Sequence, residues 1–153
     1  MSDALHPYRS HTCNDLRADH VGSTAPLSGW INRRREHAGP LFIDLRDHYG
    51  VTQCVVLESS PHYETLRRVK LESVVTLTGR VMQRDDEAVN DKLATGQIEV
   101  YVDDAEVQSA AEQVPLQVNS NDDINEDLRL TYRYLDLRRE KVHANIMLRA
   151  KVI

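Results

Sequence analysis

Between residues 25 and 107, apolar residues recur at every second position in short runs, and one helix-like stretch interrupts them. A period of two is typical of half-buried β-strands, whereas an amphipathic helix repeats about every 3.6 residues. We therefore predict five strands with a single helix between the third and the fourth. The predicted strands are residues 25–35, 41–47, 51–57, 74–84 and 97–107.

Turn-forming residues separate these runs and shape the first strand. Gly29 lies inside the longest strand, where a glycine allows a sharp bend. Gly50 leads strand two into strand three, which predicts a hairpin. Ser60 supplies an N-cap and Pro61 the first helical residue, and we expect the helix to continue to about residue 72.

Three strands, a helix and two further strands, with a bend in the first strand, match a five-stranded OB barrel over residues 21–107. A small β-sandwich and an SH3-like barrel are the alternatives, and the position of the helix favours the OB barrel. The predicted fold class is therefore all-β. Closing the sheet buries alternate residues and leaves the opposite face of strands one to three free for a ligand.

The rest of the chain divides by composition into three parts. We expect residues 1–20 to form an N-terminal extension with a short helix. Residues 108–130 are largely polar and acidic with little periodicity, which predicts a linker or hinge. Helical spacing returns in residues 131–153, and no glycine, proline or polar tail precedes the last residue. We therefore expect one C-terminal helix there, the truncated start of a second domain.

Several classes of protein are excluded by composition. Two cysteines without a CxxC motif, and histidines that do not cluster, exclude a zinc ribbon and a disulfide scaffold, so we predict no metal site. The six glycines are never closer than seven residues, which excludes a dinucleotide fingerprint and a P-loop. No apolar run approaches the roughly 20 residues that a bilayer requires, and no signal peptide is evident. We therefore expect a cytoplasmic protein without a membrane partner.

The net charge of −5 is unevenly distributed. Residues 85–127 carry 1 Lys/Arg against 13 Asp/Glu, whereas residues 1–84 carry 11 against 9 and residues 128–153 carry 7 against 2. Salt screens exposed charges beyond about 8 Å under physiological conditions, so a local basic site can exist in an acidic protein. The overall acidity therefore does not exclude a nucleic-acid partner.

The candidate binding site combines an aromatic ring, arginines and an amide on neighbouring strands. Phe42 is the only phenylalanine, and it lies on the opposite parity to Leu41 and Ile43, so burial in the core does not explain it. The arginines at positions 33–35 and the amide of Gln53 would surround it in a barrel. An uncovered ring with guanidinium groups for phosphate and an amide for a base edge suits single-stranded RNA.

Other readings of these strands stay open at this point. The structural alternative is a solvated basic strand end with Phe42 covered by a loop. Glu99, outward on strand five, is a further candidate, because a carboxylate beside arginines accepts hydrogen bonds from a base. Asp44 and Asp47 do not form a catalytic pair, since positions i and i+3 of a strand face opposite sides. We expect Asp44 to pair with Arg46 instead, and we predict no catalytic residue.

Seven runs of the sequence resemble the N-terminal part of bacterial aspartyl-tRNA synthetases, which are class IIb enzymes. They follow the order of the family through nearly the whole chain. The matching runs are residues 11–17 (HTCNDLR), 27–35 (LSGWINRRR), 41–47 (LFIDLRD), 50–53 (GVTQ), 79–81 (GRV), 94–100 (ATGQIEV) and 129–139 (RLTYRYLDLRR). The last run also resembles the lysine and asparagine enzymes, and the others together indicate the aspartate enzyme.

The resemblance implies that the barrel binds the anticodon stem and loop of tRNA(Asp). By position, Phe42 matches the residue that stacks on the central anticodon base, with Gln53 and Arg33 as its hydrogen-bonding and phosphate contacts. Glu99 matches the carboxylate that reads the first anticodon base. The residues that match anticodon contacts of the family are Arg33, Arg35, Phe42, Gln53, Arg84, Asn90 and Glu99.

Two details concern the choice of tRNA. Met82 stands where many relatives have an arginine, which predicts that one basic contact is missing. The loop at residues 37–39 resembles relatives that charge both tRNA(Asp) and tRNA(Asn). His37 is therefore a candidate for tRNA selectivity, and tRNA(Asn) is a second candidate partner.

Enzymes of the family use ATP and Mg²⁺ and form homodimers through the catalytic domain. The chain lacks their Gly-x-Gly-x-x-Arg motif, and no Arg-x-Glu motif lies in a suitable context. We therefore predict no cofactor in these residues and no aminoacylation by them alone. The resemblance implies a tRNA-binding module of a ligase. A stand-alone single-strand-binding OB protein is the alternative, and it would bind nucleotides without choosing among bases.

Overall fold

The computed structural model describes residues 7–120 and 122–153 of the chain. Five strands close into a barrel in the order β1-β2-β3-β5-β4, and β3 pairs with β5 in parallel while all other pairs are antiparallel. The strands are β1 (Thr24–Glu36), β2 (Leu41–Arg46), β3 (Val51–Val56), β4 (Val74–Gln83) and β5 (Ile98–Ser109). The predicted OB barrel is confirmed, and neither the sandwich nor the SH3-like alternative applies.

The chain forms two units, Met1–Glu112 and Gln113–Ile153. In the first, helix α1 lies between β3 and β4, and two short 3-10 helices flank the barrel strands. In the described part of the second unit, three helices follow a stretch without regular secondary structure. The helices are α1 (Tyr63–Arg68), α2 (Glu126–Thr131), α3 (Arg133–Asp136) and α4 (Glu140–Val152), with 3-10 turns at Ala18–His20 and Asp86–Ala88.

Strand β1 changes partner at its centre, and this change closes the barrel. Residues 24–30 pair with β4, residues 30–36 pair with β2, and Trp30 belongs to both ladders. Gly29 lies directly before the change. A Cβ on Gly29 would stand 2.4 Å from the carbonyl oxygen of Arg46, so any larger residue would collide with backbone. At Gly29, where the sequence predicts a bend, β1 and β2 therefore approach each other too closely for any side chain.

The interior of the barrel is filled by side chains of one parity from each strand. Free thiols of Cys13 and Cys54 are part of this core, and burial raises the pKa of the Cys54 thiol to about 12. Both cysteines are therefore inert at neutral pH. The fully buried side chains of the barrel include Leu27, Ile31, Leu41, Ile43, Leu45, Val56, Val75, Leu77, Val81, Ile98 and Val100.

Helix α1 is shorter than the helix that the sequence predicts at residues 61–72. Pro61 precedes it, and the chain leaves the helix at Val69, which has an extended conformation. Beyond that point, the backbone N–H of Glu72 donates to the carbonyl of Ile31 at 2.8 Å, and the N–H of Ile31 donates to the carbonyl of Ser73 at 3.0 Å. Residues at the end of the predicted helix therefore form hydrogen bonds with β1. The local sequence does not reveal this partner.

The second unit has a small core of its own. Leu116 and Val118 pack against Leu135 of α3. Asp136 is fully buried and accepts hydrogen bonds from the guanidinium of Arg129, with Nε at 3.0 Å and Nη2 at 3.3 Å. Arg139 approaches the same carboxylate at 3.5 Å. Burial alone would raise the pKa of Asp136, and the hydrogen bonds and charges of these arginines outweigh it, so the pKa is lowered.

Candidate nucleic-acid interface

The three consecutive arginines of β1 serve two faces of the sheet. Because side chains alternate along a strand, Arg34 points away from its two neighbours. Its guanidinium donates to the carbonyls of Leu66 and Val69 at the end of α1, the first at 3.2 Å. Arg33 and Arg35 remain exposed on the other side. The arginine run thus divides into one structural residue and two that can meet a ligand.

An open groove of about 620 Å³ lies on the outer side of the barrel at this end of β1. Seven of the eight residues predicted from the sequence line it, and the eighth, Glu99, is hydrogen-bonded to one of them. The groove is lined by Arg33, Arg35, Glu36, His37, Phe42, Asp44, Gln53, Arg84, Ala88, Asn90 and Leu93.

The ring of Phe42 belongs to the wall of this groove. Phe42 is half-buried, whereas its neighbours Leu41 and Ile43 on β2 are fully buried in the barrel. In the sheet it lies between Arg35 of β1 and Val55 of β3. Phe42 therefore lines the groove and is not sealed in the interior of the barrel.

Four side chains form a continuous hydrogen-bonded row across β1, β2, β3 and β5. Nη2 of Arg35 donates to Oδ1 of Asp44 at 2.9 Å and to Oε1 of Gln53 at 3.2 Å. Nε2 of Gln53 donates to Oε2 of Glu99 at 2.9 Å. Burial and the nearby carboxylate of Glu99 raise the pKa of Tyr101. The row presents alternating donors and acceptors beside Phe42.

The expected ion pair between Asp44 and Arg46 is wrong. Arg46 instead binds Glu72, with Nη2 at 2.8 Å and 2.9 Å from the two carboxylate oxygens, and its guanidinium lies 5.6 Å from the centre of the Trp30 ring. Glu72 reaches this position because the segment after α1 folds back onto β1. Asp44 is therefore free to pair with Arg35 in the groove.

The alternation of side chains along the predicted strand 74–84 would point Arg84 outward, and in this respect the prediction is wrong. Strand β4 ends at Gln83, so the alternation of β4 no longer applies to Arg84, and only 4% of its side chain is exposed. Nε donates to the carbonyl of Ile98 at 2.9 Å and Nη1 to that of Ala88 at 3.4 Å, while Nη2 is buried and has no partner among the residues that the structure describes. Burial lowers the pKa of Arg84, although the carboxylate of Glu99, 4.0 Å from Nε, acts in the opposite direction.

The two loops at the ends of the groove are tightly constrained. In the β1–β2 loop, Ala38 and Gly39 have φ of 51° and 117°, and His37 immediately precedes them. In the β4–β5 connection, a Cβ on Gly96 would lie 1.8 Å from the carbonyl oxygen of Asn90, so only glycine fits there. His37 and Asn90 both line the groove.

Several residues that line the groove are not predicted from the sequence. Asp44 has the parity of Phe42 and could have been found by that rule, whereas Ala88 and Leu93 lie in an irregular connection that no periodicity predicts. Glu36 lies at the end of β1 and binds Arg67 of α1 at 3.0 Å. Among the described residues, no group of three or more His, Cys, Asp or Glu side chains could hold a metal ion. The groove offers stacking and hydrogen bonding.

The comparison with known families decides the relationship of the chain. The profile of the tRNA_anti-codon family, described as an OB-fold nucleic acid binding domain, matches residues 27–108. The chain belongs to this family. The match of this OB-fold domain begins in β1 and ends in β5, so it includes the strands that carry the groove.

Longer proteins contain regions similar to this OB-fold domain and the segment after it. The chain is 55% identical to the aspartate–tRNA(Asp/Asn) ligase of Acidiphilium cryptum over 97% of its own length and 25% of the relative. It is 53% identical to the ligase of the same name from Paramagnetospirillum magneticum, over 97% of the chain and 17% of the relative. The chain therefore spans a quarter or less of these relatives.

A solved structure shows the same arrangement. Asparaginyl-tRNA synthetase from Pyrococcus horikoshii, complexed with asparaginyl-adenylate, superposes with a TM-score of 0.76 at 26% identity. The match covers 90% of this chain and 30% of that one. In the described part of this chain, no helix is long and apolar enough to cross a membrane.

Proposed function

We propose that this chain is the anticodon-binding part of an aspartate–tRNA ligase, and that its groove receives unpaired bases of the anticodon loop. The observation that carries the proposal is the groove itself, which Phe42 lines together with two exposed arginines, the buried guanidinium of Arg84 and the amide of Gln53, which is hydrogen-bonded to Glu99. Membership of an OB-fold nucleic acid binding family and the names of the similar ligases support the same partner.

Each side chain of the groove has a proposed task. Phe42 stacks on the central anticodon base, Gln53 hydrogen-bonds to an edge of that base, and Arg33 binds a phosphate. Glu99 accepts hydrogen bonds from the first anticodon base. Arg84 lines the groove with a buried guanidinium that already donates to the carbonyls of Ile98 and Ala88, so its proposed contribution to RNA binding is positive charge.

Arg35, Asn90 and His37 complete the proposed contacts with the loop. Both similar ligases carry tRNA(Asp/Asn) in their names, and we propose tRNA(Asn) as a second partner beside tRNA(Asp). His37 lies at the rim of the groove in a loop with two residues of positive φ, which positions it to contact the anticodon loop. Substituting it is expected to change the relative affinity for the two tRNAs.

The proposal extends to the organisation of the whole protein. We propose an N-terminal extension at residues 1–20, the anticodon-binding barrel at 21–107, a hinge at 108–130, and the start of a class II catalytic domain at 131–153. That domain would bind ATP and Mg²⁺, form the homodimer interface and attach aspartate to tRNA in the cytoplasm. These 153 residues alone would then bind tRNA and form no aminoacyl ester.

Binding to two RNA hairpins tests the proposal. One hairpin carries the aspartate anticodon, and the other differs only in the central anticodon base. The groove is expected to bind the first more tightly, because Gln53 and its neighbours are fixed while stacking on Phe42 tolerates any base. Equal dissociation constants would favour a generic single-strand-binding protein.

A further inference from the structure

Asp44 is one of two acidic residues that line this groove, and its negative charge opposes nucleic-acid binding. Asp44 follows Phe42 by two residues on β2, so the two side chains are on the same face of the strand. Only 15% of the Asp44 side chain is exposed. Because every nucleic-acid strand brings negative phosphates, a carboxylate at this place lowers general affinity. Asp44 therefore calls for an explanation other than affinity.

Asp44 holds the one cation of the hydrogen-bonded row, Arg35. Nearly half of the Arg35 side chain, 48%, is exposed, yet its Nη2 is held 2.9 Å from Oδ1 of Asp44. Asp44 and Gln53 face each other directly in the β2–β3 register. Arg35 is thus drawn over β2 and onto Oε1 of Gln53, at 3.2 Å, instead of extending into solvent.

This arrangement leaves one favourable orientation for the amide of Gln53. Guanidinium groups only donate hydrogen bonds, so Arg35 requires the oxygen of the amide on its side. Carboxylates only accept, so Glu99 requires the nitrogen, which lies 2.9 Å from it. A flipped amide would face both neighbours with the wrong atom. One lone pair of Oε1 and one N–H of Nε2 remain for a base.

We propose that Asp44 is a positioning residue that determines base selectivity in this groove. It keeps Arg35 bound to Gln53, so the Gln53 amide is presented in one orientation. It also prevents Arg35 from acting as a free ligand for phosphates, which occur on every RNA irrespective of sequence. General affinity is reduced and discrimination is increased, as in other interfaces that use a repulsive element. This inference rests on the proposed function and deepens it.

The test compares Asp44→Asn with Asp103→Asn in the full 153-residue chain. Asp103 is an exposed carboxylate 3.8 Å from Arg80, outside the groove, so the control removes the same charge from another ion pair of the barrel. Dissociation constants for the cognate hairpin and the hairpin with a changed central base are measured at several salt concentrations. Melting temperatures establish that each variant is folded.

We define the selectivity ratio as the dissociation constant for the changed hairpin divided by that for the cognate hairpin. Asp44→Asn is expected to lower this ratio by about five-fold or more, because Gln53 loses its fixed orientation. The salt dependence should steepen by about 0.7 in the slope of log K against log salt, which corresponds to one added phosphate contact on a single strand. Asp103→Asn should change neither quantity. A folded Asp44→Asn protein that retains the wild-type ratio would overturn the proposal.

A measurement without RNA separates this inference from the proposed function. In NMR spectra of the free protein, the side-chain NH₂ signals of Gln53 should shift in Asp44→Asn and stay in place in Asp103→Asn. Unmoved signals in Asp44→Asn would overturn the inference whatever the RNA results. If wild-type protein does not distinguish the hairpins, the proposed function fails, and these signals still decide whether Asp44 orients Gln53.

A second substitution covers the case in which Asp44→Asn does not fold. Asp44→Glu keeps the charge and displaces the carboxylate by one methylene. The ratio of dissociation constants should again fall, while the salt slope stays that of the wild type. An unchanged ratio in Asp44→Glu, together with unmoved Gln53 signals, would count against a positioning role.

Discussion

A single ring on the outer face of β2 would provide the largest sequence-independent contact in the proposed complex. Phe42 could be found from the sequence because its parity disagrees with that of Leu41 and Ile43, and the structure places it in the wall of the groove. Arg84 shows where that rule ends. Alternation stops with the strand, and the direction of a side chain one residue later depends on carbonyls of other segments.

Replacing the ring tests its contribution directly. Phe42→Ala should weaken binding of the cognate hairpin by about 1 to 3 kcal/mol, the usual contribution of one base stacked on an aromatic side chain. Folding stability should change little, because Phe42 is only half-buried. Isothermal titration and thermal denaturation measure the two effects. Tyr49→Ala is the control, since Tyr49 is 53% exposed and lies outside the groove. A wild-type dissociation constant for Phe42→Ala would show that Phe42 does not belong to the binding site.

Glu99 is expected to contribute selectivity and little affinity. In Glu99→Gln the negative charge is lost and the side chain can offer an N–H, so its preference for donors on the first anticodon base should weaken. Binding of four hairpins that differ only in that base gives the preference profile. Glu106→Gln, on the exposed part of β5, is the matched control. An identical profile in Glu99→Gln and wild type would falsify this role.

Among the elements, β1 shows how much of the fold follows from local pattern. Its alternation and its glycine predict a long bent strand, and the structure has that strand. The end of α1 was not predictable, because residues 69–73 bond to β1 instead of continuing the helix. The same fold-back brings Glu72 to Arg46 and thereby leaves Asp44 for the groove. Contacts between segments distant in sequence thus decided the details that periodicity could not supply.

The close approach of β1 and β2 makes Gly29 a sensitive position. Gly29→Ala should destabilise the barrel by more than about 2 kcal/mol, because the new Cβ would meet the carbonyl oxygen of Arg46 at 2.4 Å. Gly22→Ala is the comparison, since Gly22 has a φ of 89° and open space around its Cβ. Its cost, about 1 to 2 kcal/mol, comes from backbone conformation alone. Urea denaturation of both variants measures the difference, and a smaller loss at Gly29 would contradict the steric explanation.

On the scale of the whole molecule, each unit combines an apolar core with buried charged groups. The first unit buries Glu72 and Arg84, and the second buries the carboxylate of Asp136 beneath arginines. The sequence shows basic residues in this region, but not that they converge on one acid. The structure has three shorter helices, α2, α3 and α4, where the sequence predicts a single helix. The convergence of the basic residues depends on the turns between these helices.

Stability of the second unit should therefore depend on pH in a defined direction. The pKa of Asp136 is lower in the folded state than in the unfolded chain, so the unfolded state binds its proton more readily as pH falls. The stabilisation is fully present above the unfolded pKa, about 3.9, and is lost as pH falls through the lower folded value. Far-UV circular dichroism of helix loss against pH should show this loss in wild type. Asp136→Asn should unfold with a weaker dependence on pH over that range, and an equal dependence would exclude Asp136 as its source.

The parallel seam of the barrel consists of two residue pairs, Cys54 with Val100 and Val55 with Tyr101. Gln53 and Glu99 stand immediately beside this seam, one on each strand, and their hydrogen bond crosses it. An RNA base that binds both side chains would connect β3 and β5 across the shortest strand ladder of the barrel. Recognition and closure of the barrel would then be thermodynamically linked, and each would strengthen the other.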